Sequence, residues 1–317
     1  MNPERKLKVG VIGVGALGQW HARVYSELPQ AELVGVYDVH EPRAEEIAAR
    51  YRTRAFKSME ALAAETEALS VVVPSDLHCA IANTLMNKGV HLLVEKPIAS
   101  STVDAQAMVA LAEEKGLVLQ VGHVERFNPV LGALEQVLTE PRFIEAVRLA
   151  PYPPPREGLH PRGTEVSVVL DLMIHDLEII LHLVRSPVRH LHAVGVSVLS
   201  PSEDIANVRL SFENGCVANV TASRISSERT RKIRVFQQDT YVSLDYEKQS
   251  GHLFRKTGAA IERSDVPIEK GEPLFNELSS FVQCVLTRGQ PKVSGQHAAL
   301  ALKLAVEICT HIRQGGS

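Results

Sequence analysis

Residues 8–21 read KVGVIGVGALGQWH, and a second apolar run, AELVGVYD, ends on Asp38, twenty residues after Gly18. A glycine triplet alone occurs in many chains. Here Gly13, Gly15 and Gly18 follow a Val/Ile-rich strand at Val9–Ile12 and open an apolar helix, the context a dinucleotide-binding turn requires. Gly13 permits the tight turn, Gly15 lets the backbone approach a pyrophosphate, and Gly18 lets the helix lie close on the strand. The loop Gly13, Val14, Gly15, Ala16, Leu17 and Gly18 then presents helix N-terminal N–H groups to the phosphates. Asp38 ends the next strand, where a carboxylate accepts hydrogen bonds from ribose hydroxyls and repels a 2′-phosphate, so the expected cofactor is NAD rather than NADP. The competing reading is a structural glycine turn with no nucleotide, and the strand, helix and acidic residue together weigh against it.

Strand and helix patterns alternate through the first part of the chain. Apolar runs at Val9–Ile12, Leu33–Tyr37, Leu69–Val73, His91–Val94 and Val118–Val121 predict buried parallel strands. Helical stretches at 16–27, 43–49, 76–88 and 103–114 separate them, the last flanked by Ser100–Thr102 as cap candidates and by Gly116 as a stop. After Asn128–Pro129 the grammar changes to a Pro-rich segment at 151–163, one long helical run at 166–184, and a series of strand-like runs with an Asn214–Gly215 turn signal. Two amphipathic helices finish the chain. The expected fold class is α/β: a doubly wound parallel sheet over residues 1–124, then an α+β domain over 125–317 with a mostly antiparallel open sheet. The C-terminal helix is free to pack back on the first domain.

The formal net charge of −3, with both signs interspersed, carries no footprint for nucleic acid. The basic run Arg229–Arg234 alternates with Thr and Ile and reads as a polar strand face rather than a phosphate-binding stripe, though a nucleotide-linked substrate could use it. Cys79, Cys216, Cys284 and Cys309 lie far apart in apolar stretches, with no metal-ligand spacing, as reduced thiols in a cytoplasmic protein would. The charged start of the chain leaves no room for a signal peptide, and no apolar run approaches the roughly 20 residues that span a bilayer.

Ligands of a doubly wound sheet bind beyond the carboxyl ends of its strands. Glu95–Lys96–Pro97 closes one such strand, which aims Lys96 at the nicotinamide end, where it can hydrogen-bond a substrate hydroxyl; an exposed strand-end lysine is the bland alternative. The loop after LSVVV, with Val73, Pro74 and His78, lines the same side. In GHVERFNP, Arg126 or Asn128 can contact substrate or the nicotinamide ribose, or can stitch the two domains together. Asp171 and His175, four apart on an otherwise apolar helix, share a face, and burying both is costly unless they pair or serve a site. Asp176 and Glu178 read as surface groups of that helix, and His182 as structural.

The glycine motif, the PxxxH loop at Pro74–His78, EKP at Glu95–Pro97 and DxxxH at Asp171–His175 resemble, in order and spacing, the glucose–fructose oxidoreductase/inositol dehydrogenase/MocA family across essentially the whole chain. The resemblance implies a Rossmann domain, a C-terminal domain whose open sheet commonly forms a homo-oligomer interface, and oxidation or reduction of a sugar or cyclitol hydroxyl by NAD(P). It places Lys96, Asp171 and His175 at the catalytic positions and leaves the division of base work between Lys96 and His175 open. Where relatives carry a Gly-Gly pair this chain has Gly163–Thr164, which puts the backbone contacts there in doubt. The phrases GHVERFNP, PRFIEAVRLAPY and NVTASRISSERTRKIRVFQ resemble the branch that oxidises C3 of UDP-linked N-acetylhexosamine on the way to lipid A amino sugars. A diphosphate substrate needs cations, for which Arg156, Arg162 and Arg224 are available. A free inositol or sugar dehydrogenase would need none, and a non-catalytic dinucleotide-binding regulator would need neither Lys96 nor the Asp171–His175 pair.

Overall fold

The computed structural model describes residues 5–154 and 163–315. The chain forms two compact units, the first of residues up to Phe127 together with Glu272–Ala299, the second of Asn128–Gly271 with the residues from Leu300 onward.

In the first unit, β1 (Leu7–Ile12), β2 (Ala31–Tyr37), β3 (Arg54–Ala55), β4 (Ala68–Val71), β5 (His91–Glu95) and β6 (Leu119–Gly122) form one sheet in the order β3-β2-β1-β4-β5-β6. Every pair in it is parallel. Val9, Val11, Leu69, Leu92 and Leu93 are fully buried, which is why these strands read as unbroken apolar runs rather than alternating ones. The strand order reverses beside β1, so the crevice at its carboxyl end is the topological switch point. Helices α1 (Gly18–Glu27), α2 (Glu41–Arg50), α3 (Met59–Glu65), α4 (His78–Met86) and α5 (Thr102–Lys115) connect the strands. The α5 signals act as expected: Ser101 accepts a hydrogen bond from the Asp104 N–H and Gly116 closes the helix in the left-handed region at φ +63°. Both β3 and α3 are too short to leave a periodic signal in the sequence.

The second unit opens with α6 (Pro129–Val137) and β7 (Phe143–Leu149) and continues through α7 (Ile174–Val184) into β8 (Val188–Val196). β9 (Ile205–Phe212), β10 (Val217–Ser223), β11 (Thr230–Phe236), β12 (Thr240–Asp245), β13 (Ser250–Thr257) and β14 (Ala260–Asp265) complete a sheet ordered β14-β13-β12-β11-β7-β10-β9-β8. Only β7 and β10 pair in parallel. The Asn214–Gly215 turn joins β9 to β10 with Gly215 at φ +84°. The basic run on β11 alternates as expected, Lys232 and Arg234 exposed between buried Ile233 and Val235. β13 and β14 carry no apolar alternation and are mostly exposed, so nothing in the sequence marks them as strands.

The chain then returns. Leu278, Phe281, Val282 and Val285 of α8 (Pro273–Thr287) share one hydrophobic core with Val9, Val11, Val24 and Tyr25 of the first unit. Residues 295–299 of the last helix, α9 (Gly295–Arg313), also belong to that unit. Among the described residues no helix is long and apolar enough to cross a membrane.

Candidate active site

The turn after β1 has the shape a pyrophosphate needs. Gly13 sits at φ +81°, and a Cβ there would overlap the Val72 carbonyl; a Cβ on Gly18 would overlap the carbonyl of Gly13. Gly15 differs: nothing lies within 4 Å of where its Cβ would point. Among the described residues no packing accounts for that glycine, whereas a pyrophosphate lying on the loop would. No side chain caps the N-terminus of α1, which leaves that end of the helix to an anion. Asp38 closes the loop from below, one carboxylate oxygen accepting the Val14 N–H at 2.8 Å and the other the His40 N–H at 2.9 Å. Each oxygen has a second lone pair, so the carboxylate can still take ribose hydroxyls. Arg43, absent from the sequence-based candidates, donates from Nε to the Val14 carbonyl at 3.0 Å and from its terminal nitrogen to Glu46 at 2.7 Å. The residues present thus fit a dinucleotide, with Asp38 at the ribose end.

The carboxyl ends of β4 and β5 are tied together by His78. Its two ring nitrogens lie 2.9 Å from the carbonyl oxygens of Pro97 and Val73, and the ring is buried. The PxxxH residues therefore set the shape of the loops around Pro74 and Lys96–Pro97, and His78 acts through them. The Lys96–Pro97 peptide is cis. Glu95 faces inward beside Gly122, whose missing side chain leaves room for the carboxylate. It accepts from its neighbour's N–H, Lys96, at 3.2 Å and meets His21 Nε2 of α1 at 3.2 Å. Burial alone would raise the Glu95 carboxyl, but the His21 ring and the Lys96 charge outweigh it and hold the group below the ordinary carboxylate value. Burial, reinforced by Lys96, pushes the ring of His123 down to about 3. None of His21, His123 and Glu277, which gather around Glu95, is among the sequence-based candidates, although His21 and His123 lie within the quoted segments KVGVIGVGALGQWH and GHVERFNP. The only hint was a buried-type polar residue inside an apolar run, as at Glu277 in PLFNELSSFV.

Two candidates turn out differently. Asn128 caps α6, accepting the Val130 N–H, and donates to the Tyr246 carbonyl, which makes it a structural strut of the second unit. Arg224 is 2% exposed, and all five of its N–H donors are used within the protein. They go to Asp204, to the carbonyls of Gly163 and Val166, and to the hydroxyls of Ser200 and Ser202. A guanidinium with no donor left does not bind a substrate phosphate; Arg224 instead locks residues 163–166 against the loop before β9. Asp204, which also accepts the N–H groups of Val198, Leu199 and Ser200, is held far below the usual carboxylate value despite its burial. Arg126 is buried beside His123. Arg156 and Arg162, and most of the Pro-rich segment, lie outside the described residues.

The DxxxH segment also holds a surprise. Val169–Met173 is a turn of π-helix that leads into α7, so Asp171 and His175 are not spaced as on a regular α-helix. Gly163, at φ +82°, packs against the Asp171 carboxylate so closely that a Cβ would overlap it. Asp176 and Glu178, read as surface groups, are 1% and 2% exposed. Arg148 of β7 explains the first, donating to Asp176 at 2.8 and 3.0 Å in a bidentate pair. His182 meets Glu135 at 2.9 Å, in keeping with its structural reading.

A glycine-rich turn at the switch point, followed by an acidic residue at the end of β2, is the arrangement of a dinucleotide-binding domain. A family model described as "Oxidoreductase family, NAD-binding Rossmann fold" matches residues 7–123, and a GFO/IDH/MocA C-terminal domain matches residues 134–242. The chain belongs to the Gfo/Idh/MocA family of oxidoreductases. It is 37% identical over 314 residues to UDP-N-acetylglucosamine 3-dehydrogenase of Acidithiobacillus ferrooxidans, covering 95% of this chain and 97% of the relative. A solved structure of that enzyme matches with a TM-score of 0.91 at 35% identity over 98% of each chain. A scyllo-inositol 2-dehydrogenase (NAD(+)) of Bacillus subtilis is 24% identical, covering 98% of this chain and 96% of the relative.

Proposed function

We propose that this NAD-dependent enzyme oxidises the C3 hydroxyl of UDP-N-acetylglucosamine to the 3-keto sugar. The observation that carries this reading is the match, end to end in sequence and fold, to an enzyme named for that reaction. A free-cyclitol substrate is the weaker reading because the inositol dehydrogenase relative matches at only 24% identity.

NAD, when bound, supplies the hydride acceptor. Gly13, Val14, Gly15, Ala16, Leu17 and Gly18 hold its pyrophosphate, Asp38 its adenosine ribose, and the loops of Val73, Pro74, His78 and Glu95–Pro97 border its nicotinamide. Loss of hydride from carbon requires loss of the hydroxyl proton, and the acceptor must reach within about 3 Å of that oxygen. His175 is the proposed general base, Lys96 positions the hydroxyl and shares its proton, and Asp171 orients them. Arg126 remains proposed for the substrate side and Arg162 for the diphosphate; Arg224 and Asn128, tied into the fold, are not proposed. The reading places a homo-oligomer in the cytoplasm, its four cysteines being free thiols. The oligomer would form through the outer sheet face that carries the half-buried row Phe143, Phe236, Tyr241 and Phe254.

The test is NADH formation on mixing the protein with NAD and UDP-N-acetylglucosamine, with mass spectrometry of the product. A product two hydrogens lighter, with the keto group at C3, is expected; no turnover overturns the assignment.

A further inference from the structure

Behind Lys96, wholly inside the first unit, lies a polar chain the reaction above does not use. Tyr25 Oη lies 2.8 Å from Ser70 Oγ, Ser70 Oγ 3.1 Å from His21 Nδ1, and His21 Nε2 3.2 Å from Glu95 Oε1. At the Tyr25 end sits Glu277 of α8, 0% exposed, with both carboxylate oxygens orphaned. The side-chain oxygen of Gln120 is orphaned beside it, while its amide donates to the Glu277 backbone carbonyl at 3.2 Å. An ionised carboxylate so placed is costly, so at rest Glu277 keeps its proton. Ser70 is fully buried, so the serine–histidine–glutamate sequence has no route to a hydrolysable substrate.

We propose that Glu277 and Glu95 share one proton, passed between them along Tyr25, Ser70 and His21, and that its position follows the charge at the cofactor-facing end. This rests on the reading of Glu95–Lys96 as the corner that borders the nicotinamide. The bonds have one consistent direction when Glu95 is ionised. His21 Nε2–H donates to Glu95, Ser70 O–H to His21 Nδ1, and Tyr25 O–H to Ser70. The Glu277 carboxyl makes no direct bond to the phenol; one water between them would complete the line, accepting from the Glu277 O–H and donating to Tyr25 Oη and to the orphaned oxygen of Gln120.

A concerted shift moves one proton per link. Glu277 releases its proton to the water, the water passes one to Tyr25, Tyr25 to Ser70 and Ser70 to Nδ1, while Nε2 gives its proton to Glu95. Glu277 ends ionised, Glu95 ends protonated, the histidine has exchanged tautomers, and no proton enters or leaves. Burial, with the Glu95 charge adding to it, raises Glu277 well above the carboxylate range, so the resting proton sits there. Among the described residues, Lys96 and His123 stand beside the Glu95 end of the chain, with Arg126 beside His123. Glu95 keeps 13% of its side chain exposed, and a nicotinamide ring bound beside it would remove that solvent: a positive ring would offset the loss and keep the carboxylate ionised, whereas a neutral, reduced ring would not, and would draw the proton across.

Infrared difference spectroscopy in the protonated-carboxyl stretching region tests this on the intact protein. Ligand-free protein at neutral pH should show a protonated carboxyl band that Glu277→Gln removes. Exchanging bound NAD for NADH should remove that band and create another, which Glu95→Gln abolishes. Ser70→Ala, and independently Tyr25→Phe, should keep the first band and lose the exchange between the two. No protonated carboxyl in the wild type, or an unchanged exchange in Ser70→Ala, overturns the inference. Neither result depends on turnover: failure to oxidise any sugar overturns the functional reading and leaves these bands where they are.

Discussion

At the scale of single residues, the chemistry divides between groups that face a ligand and groups that hold them. Asp38 ties down Val14 and, in the proposed reading, has lone pairs left for a ribose. Asp38→Ala should weaken NAD by about 1.5–3 kcal/mol, the range for hydrogen bonds to a charged group, and narrow the gap with NADP. Equilibrium titration of both cofactors measures this; a wild type that prefers NADP contradicts the role given to Asp38. Lys96→Ala and His175→Ala should each lower turnover by about 10²–10⁴-fold while NAD still binds. Near-normal turnover in both would remove them from the chemistry. Buried titratable groups also shape the stability profile. His123 has its folded value lowered to about 3, against about 6.5 when unfolded, so its neutral form supports the fold at neutral pH and that support is lost as pH falls through that window. Glu277 has the opposite sign. Its folded value is raised, so above about pH 4.3 the unfolded chain sheds a proton that the folded chain keeps, and stability falls with rising pH. Denaturant titrations should therefore show Glu277→Gln more stable than the wild type, by a margin that grows from pH 5 to pH 8.

At the scale of elements, what could be read in advance was whatever has a local signature. The buried strands β1, β2, β4 and β5, the caps of α5 and the Asn214–Gly215 turn all announce themselves within a few residues. The return of α8 to the first unit does not, because Leu278 and Phe281 look the same whichever core receives them. Nor does the π-helical turn before α7, where the spacing of Asp171 and His175 reads as an ordinary helical repeat. Arg224 shows the limit most plainly. As a cation in the right half of the chain it suits a diphosphate, but its five partners are scattered from Gly163 to Asp204 and only the fold brings them together. Arg224→Lys keeps the charge and loses the fork that spans both loops. Hydrogen exchange should speed up at residues 163–166 and 198–204 in this variant, with little change in the first unit. Unaltered exchange there would mean the arginine is not the lock.

At the scale of the whole molecule, one unit supplies a dinucleotide cradle on a doubly wound sheet and the other supplies the acidic–histidine segment on an open sheet. The central claim is that the hydroxyl oxidised belongs to a UDP-linked sugar. Its most direct test is initial-rate NADH formation from UDP-N-acetylglucosamine, free N-acetylglucosamine, glucose and myo-inositol, each over a range of concentrations. The account predicts the highest kcat/KM for the UDP-linked sugar, with little or no activity on the free ones; a higher kcat/KM for myo-inositol or a free sugar would contradict it.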